Sequence, residues 1–476
     1  DRAVFEAERA LAQSKLFNVM LGAMDSDQPL TQREILRRSI ALVERQYAHD
    51  PRLAIDFLLP IAGQYYSIGD ANADLAVMRR AGELAVASND PALIANVACD
   101  TVETEIARGR PDLARSELDK GLAALARASR PDYRSRAACL NAEAALARRQ
   151  GDLDHARDRI RHAIQIAEQE GRTRQNTYPK LLSFLAVLEQ ERGDLDASHA
   201  IFHRIVRLHE AAGDTGTLDY LGARRNEAVI LMAWGEYRQA GAILAGIDSR
   251  WRAAAGAKDL PPWIASVLGR LALRFDRLDD AERILTDAVA RARAESATED
   301  ALSIELWLAQ VLIQRGRFAE AQRLLEQQEE HDTRPGRWLH VTPATVRAAS
   351  ERERGKFPAA NATIDAEIAR IRSTRHGARA LANALREAAR IHLAAGDNDK
   401  AVVVANEAVA ASRQIARNTA ASADVGEALL LLAQAQRSAG QRSESASTAR
   451  NAAQALGAGL ADDHRLTREA LALAGS

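Results

Sequence analysis

The stretch that decides the fold is Arg136–Gln169, RAACLNAEAALARRQGDLDHARDRIRHAIQIAEQ. As far as Gln150 it is rich in Ala and Leu, a helix-forming composition. Gly151 interrupts that pattern. Asp152 opens a second one, with Ala156, Ile160 and Ala163 on one face. Spacings of four and three are the stripe of a packed helix face. Glycine ends a helix well because it enters the left-handed region without steric penalty. The aspartate after it can cap the next helix and oppose its positive end. The stretch therefore reads as a hairpin of two helices joined by a glycine turn.

The hairpin recurs with a period of about 41 residues. A turn glycine with a small residue five positions later occurs at Gly109/Ala114, Gly151/Ala156, Gly193/Ser198, Gly235/Ala240, Gly316/Ala321, Gly355/Ala360, Gly396/Ala401 and Gly440/Ser445. Asp276/Ala281 fills the one gap, with Asp in place of Gly. Gly69 opens the series, but Asp74 stands where the small residue belongs. Seven residues before each turn lies a second marker: Ala62, Val102, Ala144, Ala186, Ala228, Gly269, Ala309, Ala348, Ala389 and Ala433. Two small positions in fixed register let paired helices approach closely from both sides. Two residues after the turn the chain is often large and apolar, as at Leu153, Leu195, Tyr237, Leu278, Phe318 and Phe357, which can close the hairpin. Aspartate follows the glycine at Asp70, Asp152, Asp194 and Asp397, where a helix cap is expected. Such a period means stacked helix pairs, each burying its face against its neighbours.

Composition agrees. Aromatics make up 4% of the 476 residues, and Pro is scarce, which suits close-packed helices. With 64 basic and 65 acidic residues the net charge is −1, so the global balance does not point to nucleic acid or an anionic membrane surface. Apolar runs fall short of the roughly 20 residues that cross a bilayer. The two cysteines, Cys99 and Cys139, are too few for a disulfide scaffold. They lie ten and twelve residues before their turns, so two buried free thiols are expected, with a bridge as the alternative. Two Pro/Gly stretches, Ala253–Pro262 and Asp332–Pro343, are read as longer loops between repeats.

These residues resemble the tetratricopeptide repeat (TPR) pattern, with its small residue in the first helix, its Gly-x-aromatic turn and its Ala in the second. The resemblance covers roughly residues 52–457. A 41-residue period is longer than the usual 34 and implies lengthened helices. The fold it implies is all-α: a right-handed superhelical α-solenoid of about ten TPR-like helix pairs. The chain then divides into an N-terminal helical segment (1–50), the array (51–461) and a C-terminal capping helix (462–476).

Residues 1–50 lack the markers. Glu6-Ala7-Glu8-Arg9, Phe17 to Leu21, Asp25 and Leu30-Thr31-Gln32-Arg33-Glu34-Ile35-Leu36 resemble the segment that follows the membrane helix in bacterial serine/threonine protein kinases with a TPR tail. That resemblance implies a kinase domain and one membrane helix upstream of Asp1, and an array on the extracytoplasmic, periplasmic side. The chain itself has no glycine-rich phosphate loop, no His-Arg-Asp segment and no Asp-Phe-Gly, so it is read as no enzyme. A cytoplasmic TPR scaffold or regulator is the alternative.

In TPR arrays the first helices line the concave groove. Carrying over the family's groove positions gives Asn96, Glu103, Asn141, Arg148, Lys180, Ser183, Arg225, Trp263, Arg270, Ser303, Gln310, Asn383, Arg386 and Arg390. The set leans toward Arg and polar amides, which suits an acidic peptide, a chain terminus or another envelope ligand, and protein or peptide partners generally. All five tryptophans fall between Trp234 and Trp338. Trp234 and Trp307 are expected to fill packing gaps; Trp263 and Trp338 suit packing or a binding patch equally. His199 and His203 stand one helical turn apart, but Phe202 takes the core position and a third ligand is not evident. The reading therefore assigns no metal, cofactor or catalytic residue.

Overall fold

The computed structural model describes residues 32–47, 49–67, 70–173, 177–255, 259–294, 298–331, 341–374 and 377–475. Among them are 22 α-helices and no strand. The chain is an all-helical repeat solenoid. It forms two compact units, the first running to Leu185 and the second from Ala186 onward, divided within the helix Thr177–Arg192. Residues 1–31, which carry most of the kinase-like segment, lie outside the described residues, as do Gly69, Gly256, Pro335, Gly336 and Trp338.

The reference hairpin shows how each repeat is built. The helix Tyr133–Gln150 stops at Gly151, whose φ is +84°, and the Asp152 N–H bonds back to the Ala147 carbonyl at 3.0 Å. That bond satisfies a carbonyl the helix end would leave open. Asp152 then accepts from the His155 N–H at 3.1 Å and starts the helix Leu153–Gln169. Asp70 and Asp194 cap their helices in the same way. Asp397 does not: its side chain makes no cap bond and pairs with Lys400 Nζ at 2.9 Å. An ammonium one turn on offers that carboxylate a charged partner.

Both small-residue markers are buried. Ala144, Ala156, Ala186, Ala228 and Ala240 are among those with no exposed surface. Their closeness is visible where serine takes the second marker. Ser198 Oγ donates to the Ala186 carbonyl and Ser445 Oγ to the Ala433 carbonyl, each at 2.7 Å, so the two markers touch across the hairpin. At Gly269 a Cβ would come within 2.6 Å of Leu285, which explains glycine in place of alanine there. Asp74 is buried and accepts from Thr104 Oγ1 at 2.7 Å. Burial pushes its carboxyl up to about 6.

The expectation of free thiols is corrected. Cys99 and Cys139 form a disulfide, with Cα atoms 4.8 Å apart. The helices Pro91–Ala107 and Tyr133–Gln150 pack directly side by side there, so offsets that differ by two residues still meet. Gly121 makes room: a Cβ on it would overlap Cys99 Sγ.

Helices reach into the described ends of the two Pro/Gly stretches. Helix Tyr237–Ala255 continues through Ala253, and Pro262 and Pro343 each occupy the first turn of the next helix, where a missing N–H costs nothing. The C-terminal segment forms the helix Arg465–Ala474, with Thr467 and Ala470 buried.

Candidate functional site

In the second unit the array closes on itself. The turn at Gly235 meets the start of the helix Ala423–Ser438: the Gly235 carbonyl accepts from the Ala423 N–H at 3.0 Å. Tyr237 Oη donates to Asp424 Oδ1 at 3.0 Å, and Arg417 pairs with Glu236 at 2.9 Å while lying over the Trp234 ring. The next turn also takes part. Asp276 faces His464 Nε2 at 3.4 Å and Arg465 Nε at 3.3 Å. Asp276 is the residue that stood in place of a turn glycine, and it holds φ +55°. Its carboxylate is used where glycine would have offered only backbone freedom.

Inside this ring lies a cavity of about 940 Å³. Its polar lining includes both paired and unpaired groups. Asp424 and Glu427 are neutralised: Arg274 reaches Glu427 at 3.0 Å and Asp424 at 3.2 Å, and Arg390 pairs with both Glu427 and Glu387. Burial alone would push the Glu427 carboxyl up, but Arg274, Arg390 and Arg386 hold it well below the usual range. Three other lining residues each carry a donor atom without a partner. Arg270 is 9% exposed and lies over the Trp307 ring, its guanidinium carbon 4.4 Å from the centroid. Arg270 Nε, Arg379 Nη1 and Gln310 Nε2 have no hydrogen-bond partner among the described residues. Burial lowers the Arg270 guanidinium to about 9, helped by repulsion from Arg379 and Arg225. Arg379 is likewise lowered, by burial, to about 10.

The sequence-derived positions distribute as follows. Arg270, Gln310, Asn383, Arg386 and Arg390 are brought together on the cavity. Of these, Arg386 and Arg390 serve the internal carboxylates, and Asn383 accepts from Arg386. Arg225 lies outside the lining, binding the Asn226 side chain at 2.8 Å, although its charge acts on Arg270. Trp263 packs near Gly222, and Ser303 is half-buried away from the cavity. Trp307, expected only to fill a gap, carries Arg270 on its face.

Arg379, Asp424 and Glu427 were missed. Glu427 sits thirteen residues before Gly440, a register already in use for other repeats. Arg379 and Asp424 sit one helical turn upstream of that position, so extending the register by four or three residues finds both.

The remaining sequence-derived positions lie in the first unit. Asn141 Nδ2 donates to Glu103 at 2.8 Å, and burial raises the Glu103 carboxyl. Asp100, on the same helix, is pushed up to about 7 by burial and by Glu103. Asn96 is buried, Ser183 half-buried and Lys180 exposed, while Arg148 lies 5.9 Å from the Phe184 ring centroid. The expected positions that line the cavity are thus arginines and amides of the second unit, whereas the first unit carries the raised carboxyls of Asp100 and Glu103.

His199 rests against Trp234, and His203 Nδ1 meets Glu227 at 3.1 Å. Among the described residues no cluster has the ligands for a metal ion, and no helix is long and apolar enough to cross a membrane.

No known family profile matches the chain, and no curated protein matches it. Solved structures do. A Rap protein complexed with competence and sporulation factor is similar with a TM-score of 0.54 at 10% identity, over 76% of this chain and 98% of that one. The apo form of the quorum sensor NprR from B. thuringiensis gives 0.47 at 14% identity, over 74% and 97%. A tetratricopeptide repeat protein from Parabacteroides merdae gives 0.36 at 13%, over 63% and 99%. The Rap likeness supports the helical-repeat fold.

Proposed function

We propose that this chain is a non-catalytic binding protein that holds a short peptide, or an extended segment of a partner protein, in the cavity of its second unit. The observation that carries this reading is a cavity of about 940 Å³ with unpaired donors beside an apolar wall of Leu273, Ile313, Val346, Leu430 and Leu431. A volume at the upper end of small-ligand pockets fits a few residues of extended chain, not a folded domain. The Rap protein of similar fold was solved with a bound factor, which agrees with such a use. Thermal unfolding of the full chain with pools of pentapeptides tests the reading. At least one pool is expected to raise the midpoint; no response from any pool rejects it.

A sensor role outside the cytoplasm, in a membrane kinase parent, is the finer form of this proposal. The Cys99–Cys139 disulfide supports it, because such bonds persist in oxidising compartments. The N-terminal resemblance supports it as well. Reading the gene upstream of Asp1 is the test. A membrane span and kinase domain are expected; an upstream soluble DNA-binding domain would replace this placement with the cytoplasmic scaffold.

A further inference from the structure

Buried arginines are normally neutralised, because an isolated charge in a low-dielectric site costs several kcal/mol. The second unit obeys this rule for most of its cavity arginines and departs from it at two. Arg274, Arg386 and Arg390 share Asp424 and Glu427. Buried Arg270 and half-buried Arg379 form no ion pair among the described residues, although both line the same cavity and the Asp424 charge acts on Arg379. The Arg379 charge also acts on Arg270, adding to burial in lowering its guanidinium. The Arg270 guanidinium carbon lies over the Trp307 ring, 4.4 Å from its centroid, a cation–π contact that covers part of the group and leaves other N–H donors to bond. Gln310 adds a neutral donor that also lacks a partner.

We infer that Arg270, Arg379 and Gln310 form a carboxylate-recognition subsite for the peptide that the cavity holds. This deepens the proposed function and rests on it. The chemistry selects a carboxylate on geometric grounds. A planar guanidinium edge matches a carboxylate in two parallel hydrogen bonds, and the neighbouring donors can serve its remaining lone pairs. The adjoining apolar wall can take an aliphatic side chain next to the charged group. The carboxylate is supplied either by a free C-terminus or by an Asp or Glu side chain.

The subsite makes two linked demands that a structural role for Arg270 does not. Removing an uncompensated buried charge should stabilise the free protein, and it should weaken ligand binding. The test uses the full chain with four N-acetylated pentapeptide pools: with or without a C-terminal amide, and with or without Asp and Glu. Inorganic phosphate serves as a further probe. Affinity is read by titration calorimetry and the unfolding midpoint by calorimetric scanning, for wild type, R270Q, R379Q and Q310A.

The expected result is a raised midpoint for unliganded R270Q and R379Q. The same variants should bind about ten- to a hundred-fold more weakly to carboxylate-bearing pools. Loss with the amidated pool assigns the C-terminus; loss with the pool lacking Asp and Glu assigns a side chain. Equal binding of the pool lacking every carboxylate, or unchanged affinity in R270Q and R379Q, overturns the subsite and leaves the peptide reading standing. A lowered midpoint in both arginine variants overturns it too, because the arginines would then be structural. Binding of phosphate but of no peptide overturns both readings.

Discussion

The carbonyl of Gly235 accepts a hydrogen bond from the N–H of Ala423 at 3.0 Å, joining the turn of the first complete hairpin in the second unit to the start of the last one. The contact leaves no space on either side. A Cβ on Gly235 would overlap Ser422 Oγ and lie 3.0 Å from the Asp424 nitrogen; one on Gly459 would lie 2.5 Å from the Ala423 nitrogen. Gly235 also holds φ +81°. Gly151 holds a similar φ, +84°, but faces open space. G151A is therefore expected to cost only the left-handed backbone penalty, about 1–2 kcal/mol. G235A should cost that plus about 1–3 kcal/mol of overlap. Chemical denaturation of the two variants measures the difference, and equal losses would mean that the ring contact is weak.

The disulfide should matter most for the first unit. Reduction, or the C99S/C139S double variant, is expected to lower its stability by roughly 2–4 kcal/mol. G121A should also destabilise it, because the added methyl meets Cys99 Sγ, which cannot swing away while bonded. In the double variant the same alanine should cost less. A double-mutant cycle read by urea unfolding gives the coupling directly.

Asp74 makes the first unit sensitive to pH. Its carboxyl is raised to about 6 by burial, against an ordinary value near 4. Because the folded value is the higher one, the stabilisation is present below about pH 4 and is lost as pH rises through about 6. The melting temperature of this unit should therefore fall between pH 4 and pH 7, by an amount corresponding to about 2–3 kcal/mol at most. D74N should flatten that slope; an unchanged slope would point instead to Asp100.

Serine and alanine at the second small-residue marker offer a milder test. Ser198 and Ser445 each make one buried hydrogen bond to a carbonyl. Other repeats carry alanine at this position without loss of packing. S198A and S445A should each cost no more than about 1 kcal/mol, and their effects should add, since they lie in separate repeats.

Asp276 separates turn geometry from ring closure. D276G restores the glycine that the other repeats use and relieves about 1 kcal/mol of left-handed backbone cost. It also removes the carboxylate facing His464 and Arg465, a partly exposed pairing worth about 0–1 kcal/mol. Global stability should change little. Amide exchange within the helix Arg465–Ala474 should speed up, and protection equal to wild type there would show that the capping helix is held by packing alone.

What was legible in the sequence was what recurs locally. Turn glycines, small residues and N-cap aspartates each act within about twenty residues, so one hairpin could be checked against the next. Asp397 departed from that pattern because Lys400, a neighbour present in only that repeat, competes for its carboxylate. The disulfide was obscured because register was measured from the turns, whereas the meeting of Cys99 and Cys139 depends on how two first helices pack. The ring was illegible for a stronger reason. Its contacts arise from a small rotation accumulated over successive repeats, which no single hairpin records. The sequence did hold one trace of it, the aspartate at 276 in a series of glycines, and that trace read as a mere substitution. In the cavity the groove register located Arg270 and Gln310 but stopped one turn short of Arg379 and Asp424.

A closed ring also fixes a number. Linear repeat proteins lengthen by duplicating a unit, since each repeat needs only its two neighbours. Between Gly235 and Ala423 that freedom is gone. An extra hairpin would carry Ala423 past the Gly235 carbonyl, and a missing one would leave it short. The second unit can therefore diverge by substitution at its inner surface but not by gaining or losing a repeat. Any relative that keeps the Gly235–Ala423 junction must keep the same count of hairpins between them.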